Sequence, residues 1–286
     1  MKHSLLSILK ALACGIVFFV GTILGSLLAA ALGIPAPEAP QGADQASLMV
    51  YLLLASLGIG ALLAFLAARL RGSRPARWLI LAALGWVTYS LSTYIEASIF
   101  TTYGAASMYK VIMDLVAFLA ASGLAVTLFP AAKRDDSWLA AFSLGSIAWR
   151  LAAAWIAFPI IYLTFGRIVE PLVIDVYRQG LYELNAPGWG EILLTQALRS
   201  QLFLLVCLGL ISRWNGTRLS LWSALATALF LLIGGFYMLQ AYWFPAGFRL
   251  IHSLEMLADA LLYAACLTAL FAPAAAAARQ VSPARS

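Results

Sequence analysis

Three observations predict an all-α integral membrane protein of about eight transmembrane helices. The 286-residue chain is 63% hydrophobic and 10% charged, with a mean hydropathy of +0.92. Soluble domains carry roughly a quarter charged residues, so 18 basic and 12 acidic side chains cannot cover a water-facing surface of this size. Apolar stretches of the length that crosses a bilayer, about 20 residues, recur along the chain. Short clusters of proline, glycine and charge stand between them. An ordinary soluble enzyme, a disordered chain and a disulfide-stapled domain are excluded.

The stretches cover roughly 9–32, 47–69, 77–101, 107–130, 138–165, 191–212, 219–244 and 247–271. The first follows Lys2 and Lys10 as a signal peptide would, but its apolar run is too long for a cleaved one. It is expected to stay as the first span. Pro35, Pro37 and Pro40 close it, and Gly72 and Pro75 separate the second from the third. Gly104 and Asp135-Asp136 bound the fourth. Pro171, Pro187, Gly188 and Gly190 precede the sixth, Asn215-Gly216 the seventh, and Pro245 with Gly247 the eighth. Residues 1–272 read as one membrane domain and 273–286 as a flexible cytoplasmic tail. Cys14, Cys207 and Cys266 lie in apolar segments and suggest no disulfide framework and no metal spacing.

Orientation follows from the basic residues. With the N-terminus inside, cytoplasmic segments hold Lys2, Lys10, Arg69, Arg71, Arg74, Arg77, Lys133, Arg134, Arg213, Arg218, Arg279 and Arg285, which is 12 of 18. Only Arg167 and Arg178 fall in the external loops. Both termini are therefore expected in the cytoplasm, with the chain in the cell (inner) membrane. The net charge of +6 belongs to these loops and implies no nucleic-acid partner.

A shift of 144 residues lays Gly72 on Gly216, Arg74 on Arg218, Trp78 on Trp222, Ser56 on Ser200 and Arg69 on Arg213. One inserted residue then lays Asp114 on Asp259. Residues 5–130 and 138–272 are thus candidate repeats, parallel because four crossings preserve orientation. The other reading is two unrelated groups of helices with similar loops.

Nine charges remain within or at the edges of the spans: Glu96, Lys110, Asp114, Arg150, Glu191, Arg199, Arg249, Glu255 and Asp259. An ionised group at the bilayer centre costs about 2.5–3.5 kcal/mol on insertion scales, so such groups persist when paired, hydrated or used. At a rise of about 1.5 Å per residue they lie in the outer half or near mid-depth. On the last span Arg249, His252, Glu255 and Asp259 form one stripe; Lys110 and Asp114, four apart, share a face. The pattern predicts a polar funnel opening outward and ending near the midplane. Within it His252, Glu255, Glu96 and Asp114 are the candidate catalytic groups. Arg249, Arg199, Arg150, Lys110 and Asp259 are the candidate substrate-binding groups. The competing structural reading has these acid–base pairs gluing helices together.

The stretch Gly166–Gly190 mixes apolar residues with Glu170, Asp175, Arg178 and Glu183 and carries Tyr177, Tyr182 and Trp189. It predicts a short amphipathic helix on the outer surface, as a gate or a plain cap. With only His3 and His252, and no His-Glu-x-x-His, Walker loop or Gly-x-Ser-x-Gly, no metal or cofactor is expected. The charges support three functions: processing of a lipid or lipid-linked anionic substrate from the outer leaflet, proton-coupled transport of a small solute, or service as a non-catalytic partner or sensor subunit. Membrane lipids are the expected surroundings and partners in each case.

Overall fold

The computed structural model describes residues 2–38, 42–102, 106–131 and 142–272. Pro40, Tyr103, Gly104, Lys133, Arg134, Asp135, Asp136, Arg279, Arg285 and the tail after Ala272 lie outside them. Among the described residues eight helices are long and apolar enough to cross a membrane. They are α1 (Lys2–Ala31), α2 (Gln45–Ala67), α3 (Arg74–Phe100), α4 (Ala106–Leu128), α5 (Leu144–Arg178), α6 (Trp189–Ser212), α7 (Arg218–Gln240) and α8 (Ala246–Phe271). The protein is an all-α polytopic membrane protein. Its near end is where α1 begins and α8 finishes; its far end is where α1 finishes and α8 begins.

Helix ends without hydrogen-bond partners are costly away from water, and side chains supply the partners. Ser73 caps α3 through the Ala76 N–H, and Thr217 caps α7 through the Ser220 N–H at 3.1 Å. At the far end Asp44 accepts from the Ser47 N–H at 2.8 Å, which lowers its carboxyl pKa, and the Tyr242 hydroxyl donates to its carbonyl. Near-end cations meet the last carbonyls of spans, where the helix dipole is negative. Lys10 of α1 donates to Leu128 O of α4 at 3.1 Å, and Arg150 of α5 donates to Leu270 O of α8. Arg77 donates to Ala67 O and Phe129 O, both at 2.6 Å, and Arg218 to Thr268 O at 3.5 Å.

Geometry recurs along the chain. In the first half α1 packs on α2 and α4, and α3 on α4; in the second α5 packs on α6 and α8, and α7 on α8. Each of α3 and α7 contains one π turn, Val87–Leu91 and Leu231–Gly235, at the 144-residue offset. Trp78 donates its indole N–H to Leu119 O of α4, and Trp222 donates to Leu261 O of α8. At the near end the loops before α3 and α7 pair antiparallel: the Arg71 N–H meets Arg213 O, the Asn215 N–H meets Arg69 O, and Leu70 faces Trp214. The Arg71 guanidinium holds Asn215 Oδ1, again 144 residues away. Across the halves, α3 packs on α6 and the end of α7 packs on α2.

The largest departure from the sequence expectation is α5. The stretch expected to form a separate surface helix is helical, but it is continuous with the fifth span as far as Arg178. Pro159 and Pro171 lie inside α5 without ending it, though each removes one backbone bond. Tertiary packing compensates. Val173 is buried with Leu184 and Phe248, and Val176 and Tyr177 pack against this small second core. At about 1.5 Å per residue, 35 residues outreach a hydrocarbon core of about 30 Å by several turns.

Contacts between α1 and its neighbours are close. A Cβ built on Gly60 of α2 would run into the backbone nitrogen of Gly15 on α1, and one on Gly25 into the backbone of Met113 on α4. Small residues set interhelical distance in membranes. Gly60→Val is therefore expected to cost at least the upper part of the usual overpacking range of about 1–3 kcal/mol. Gly145→Ala, where a Cβ meets nothing within 4 Å, is expected to be neutral. Thermal unfolding of the purified variants in detergent checks both, and an unchanged midpoint for Gly60→Val rules out the close-contact account.

Candidate functional site

On α8 the helical period brings His252, Glu255 and Asp259 along one side. His252 Nδ1 lies 2.9 Å from Glu255 Oε2, and Nε2 lies 3.3 Å from the Tyr177 hydroxyl on the α5 overhang. With Glu255 ionised the carboxylate only accepts, and Nδ1 carries the proton toward it. Nε2 is then the acceptor of the Tyr177 O–H. The Phe248 ring packs edge-on against the imidazole at 4.5 Å. His252 and Glu255 are 17% and 10% exposed.

This dyad lines a cavity of about 190 Å³ between α5, α6 and α8. Tyr162, Gly166 and Tyr177 of α5, Trp189 of α6 and Phe100 at the end of α3 form much of the rest. Gly166 lines the wall beside Glu255, where a Cβ would make an ordinary contact of 3.6 Å with Oε1. At the rim Arg167 bonds Glu170 at 2.6 Å and lies over the Trp189 ring at 4.5 Å.

Behind the dyad is a second network. Arg199 of α6 is 1% exposed and its Nη1 pairs with Glu96 of α3. It also donates to Gln196 Oε1 and, through Nε, to Ser92 Oγ, both at 2.9 Å. The π turn Val87–Leu91 ends immediately before Ser92. Its extra residue turns the following helix by about 100°, which helps aim Ser92 and Glu96 at α6. Asp259 lies within electrostatic reach of Glu255, Arg199 and Glu96. It is 8% exposed and its Oδ1 has no hydrogen-bond partner.

Of the residues singled out from the sequence, Glu96, Arg199, His252, Glu255 and Asp259 come together. The others do not join them. Lys110 and Asp114 pair at 3.0 Å in the first half, with the ammonium over the stacked rings of Tyr89 and Tyr237. Arg150 caps the near end of α8, and Arg249 reaches Met238 O at 3.4 Å in the corner between α7 and α8. The three arginines expected to converge on an anion are thus dispersed, and Arg199 is already paired. Glu191 accepts the Gly188 N–H at 2.9 Å and serves the start of α6.

Tyr162, Gln196 and the close contact of Tyr177 with the imidazole escaped sequence reasoning. A tyrosine in such a chain reads by default as an interfacial anchor. The signal for Gln196 was its place one turn before Arg199. Among the described residues no three His, Cys, Asp or Glu side chains gather in metal-binding geometry. Comparisons of the chain with protein-family models, with curated proteins and with solved structures found no match.

The Arg199–Glu96 pair gives a direct test of the site's framework. Removing one partner of a buried ion pair strands the other charge and costs about 3–5 kcal/mol, whereas removing both is far milder. Arg199→Leu is expected to destabilise by about that amount, and Arg199→Leu with Glu96→Gln to regain most of it. A double-mutant cycle on thermal stability measures this; a double variant no more stable than Arg199→Leu contradicts it.

Proposed function

We propose that the chain is a membrane enzyme in which His252 is the general acid–base group, acting on a lipid-like substrate that enters between α5 and α6. One observation carries the reading: the imidazole is tied to Glu255 through one nitrogen and presents the other to a hydroxyl in the wall of a cavity. Nε2 takes a proton from the substrate as it displaces or engages Tyr177, and Glu255 stabilises the imidazolium that results. General acid–base catalysis of this kind contributes about 10²–10⁴-fold.

The basic residues favour the near end as the cytoplasmic one, since 12 of the 18 fall there by sequence. The cavity then opens toward the outer leaflet of the cell membrane, and the α5 overhang stands at headgroup level with Trp189 beside it. The cavity is smaller than the roughly 300–1,000 Å³ that enclose a drug-sized molecule. It suits a headgroup or chain segment, the rest of the substrate lying in lipid.

A second reading, proton-coupled transport of a small solute, is favoured by Asp259. Tyr177, His252, Glu255 and Asp259 form an inward file of protonatable groups, and such files mark proton paths in membranes. Purified protein in nanodiscs made from extracted membrane lipid is expected to change the lipid mass spectrum with time. His252→Ala is expected to slow that change about 10²–10⁴-fold at unchanged folding. A wild-type rate in His252→Ala overturns the enzyme reading. Uptake of a solute into proteoliposomes, collapsed by a protonophore and without chemical change, establishes the transporter instead.

A further inference from the structure

The polar groups around the cavity do not balance. Its basic lining residues, Arg167 and His252, are each bonded to a carboxylate, Glu170 and Glu255. Arg199 is bonded to Glu96, Gln196 and Ser92. Asp259, one turn deeper than Glu255, keeps an oxygen without a partner. Three carboxylic acids, Glu96, Glu255 and Asp259, thus face one guanidinium and one imidazole. Buried acids in excess of base are neutralised either by protons or by a cation, so a ligand arriving here gains most by bringing a positive charge. The walls suit one as well. Phe100, Tyr162, Tyr177 and Trp189 supply aromatic surface, and Trp189 already receives a guanidinium at the rim. Ring faces attract cations, the more so when water is excluded.

The first half contains the same chemistry with the place filled. Lys110 and Asp114 on α4 stand one inserted residue beyond the 144 offset from Glu255 and Asp259 on α8. The Lys110 ammonium sits 3.0 Å from Asp114 Oδ2 and 4.7 and 5.1 Å from the ring centres of Tyr89 and Tyr237. It is a tethered cation between an acid and two tyrosines. On α8 the lysine position is Glu255, a second acid, with Tyr162 and Tyr177 nearby and a cavity alongside.

We propose that the cavity between α5, α6 and α8 takes the ammonium group of an amphiphilic amine, held by Glu255 in its wall with Asp259 one turn deeper, much as Lys110 is held by Asp114. This rests on the cavity being the working site and names the charge class of its substrate. The second half would receive from outside the cation that the first half carries on its own chain. The apolar part of the ligand would lie against Val169 and Ile174 toward the lipid.

The test is equilibrium binding to the full chain in uncharged maltoside detergent, with octylammonium, octyl sulfate and octanol as probes. Titration calorimetry is expected to show octylammonium binding at least tenfold more tightly than the other two. Glu255→Gln is expected to weaken octylammonium at least tenfold, while Lys110→Met leaves it within twofold. Equal binding of the three probes overturns the proposal, as does undiminished binding by a folded Glu255→Gln protein. Should that variant not fold, the charge preference of the unaltered protein decides alone. Binding is read without turnover, so an inactive protein that still selects octylammonium refutes only the enzyme reading. An active one that shows no preference refutes only this inference.

Discussion

Everything polar in this bundle answers to one constraint: a charge inside a membrane needs a partner within reach. Arg199 is where that constraint binds hardest. It is a fully buried guanidinium on α6, and its carboxylate partner comes from α3 in the other half of the chain. Holding the pair together fixes the face that α3 presents below its π turn and ties the two halves at the depth of the site. It also decides what is left over. With Glu96 committed to Arg199, the acids of α8 find no second guanidinium, and His252 becomes the immediate partner of Glu255. The dyad is thus partly a consequence of where the one buried arginine is engaged.

The spans were legible because crossing a bilayer demands length and apolarity, both one-dimensional properties. The stripe on α8 was legible for a related reason, since helical phase follows from spacing alone. What one dimension does not supply is the neighbour. Depth placed Lys110, Asp114 and Arg249 alongside His252, yet depth is a single coordinate and these residues lie elsewhere around the bundle. For Arg150 the depth itself differs, because the fifth span starts at Leu144 and leaves it at the near end. Arginine adds its own difficulty, because a long side chain carries its charge well away from its Cα. Arg150 uses that reach to meet the carbonyls ending α8, and Arg249 to meet one near the end of α7.

The same gap explains α5. Gly166 and Pro171 read locally as interruptions, and their local preferences are real. They are overridden by Val173, Val176 and Tyr177, whose packing on Phe248, Leu184 and Ile251 keeps the helix going well past Gly166, as far as Arg178. The override has a functional consequence. A helix that had stopped near Phe165, in the manner the sequence suggested, would not bring Tyr177 to the imidazole. Nor would it wall the cavity.

Comparing the two halves separates scaffold from site. The features that recur are those any four-helix unit of this shape needs: a hydroxyl cap on the third helix, a cation from the first helix on the last carbonyls of the fourth, an indole bonded between third and fourth, and a π turn. The features that differ sit on the fourth helix of each half, facing inward. There α4 carries an acid and its own ammonium, an ion pair of 3.0 Å. On α8 the matching positions are both acids, and a histidine one turn earlier answers only one of them. A scaffold held constant while its inner charges diverge leaves one half with its acid matched by a cation on the same helix and the other with more acid than base. That difference, more than the depth of any single charge, is what favours α8 over α4 as the place of the proposed site.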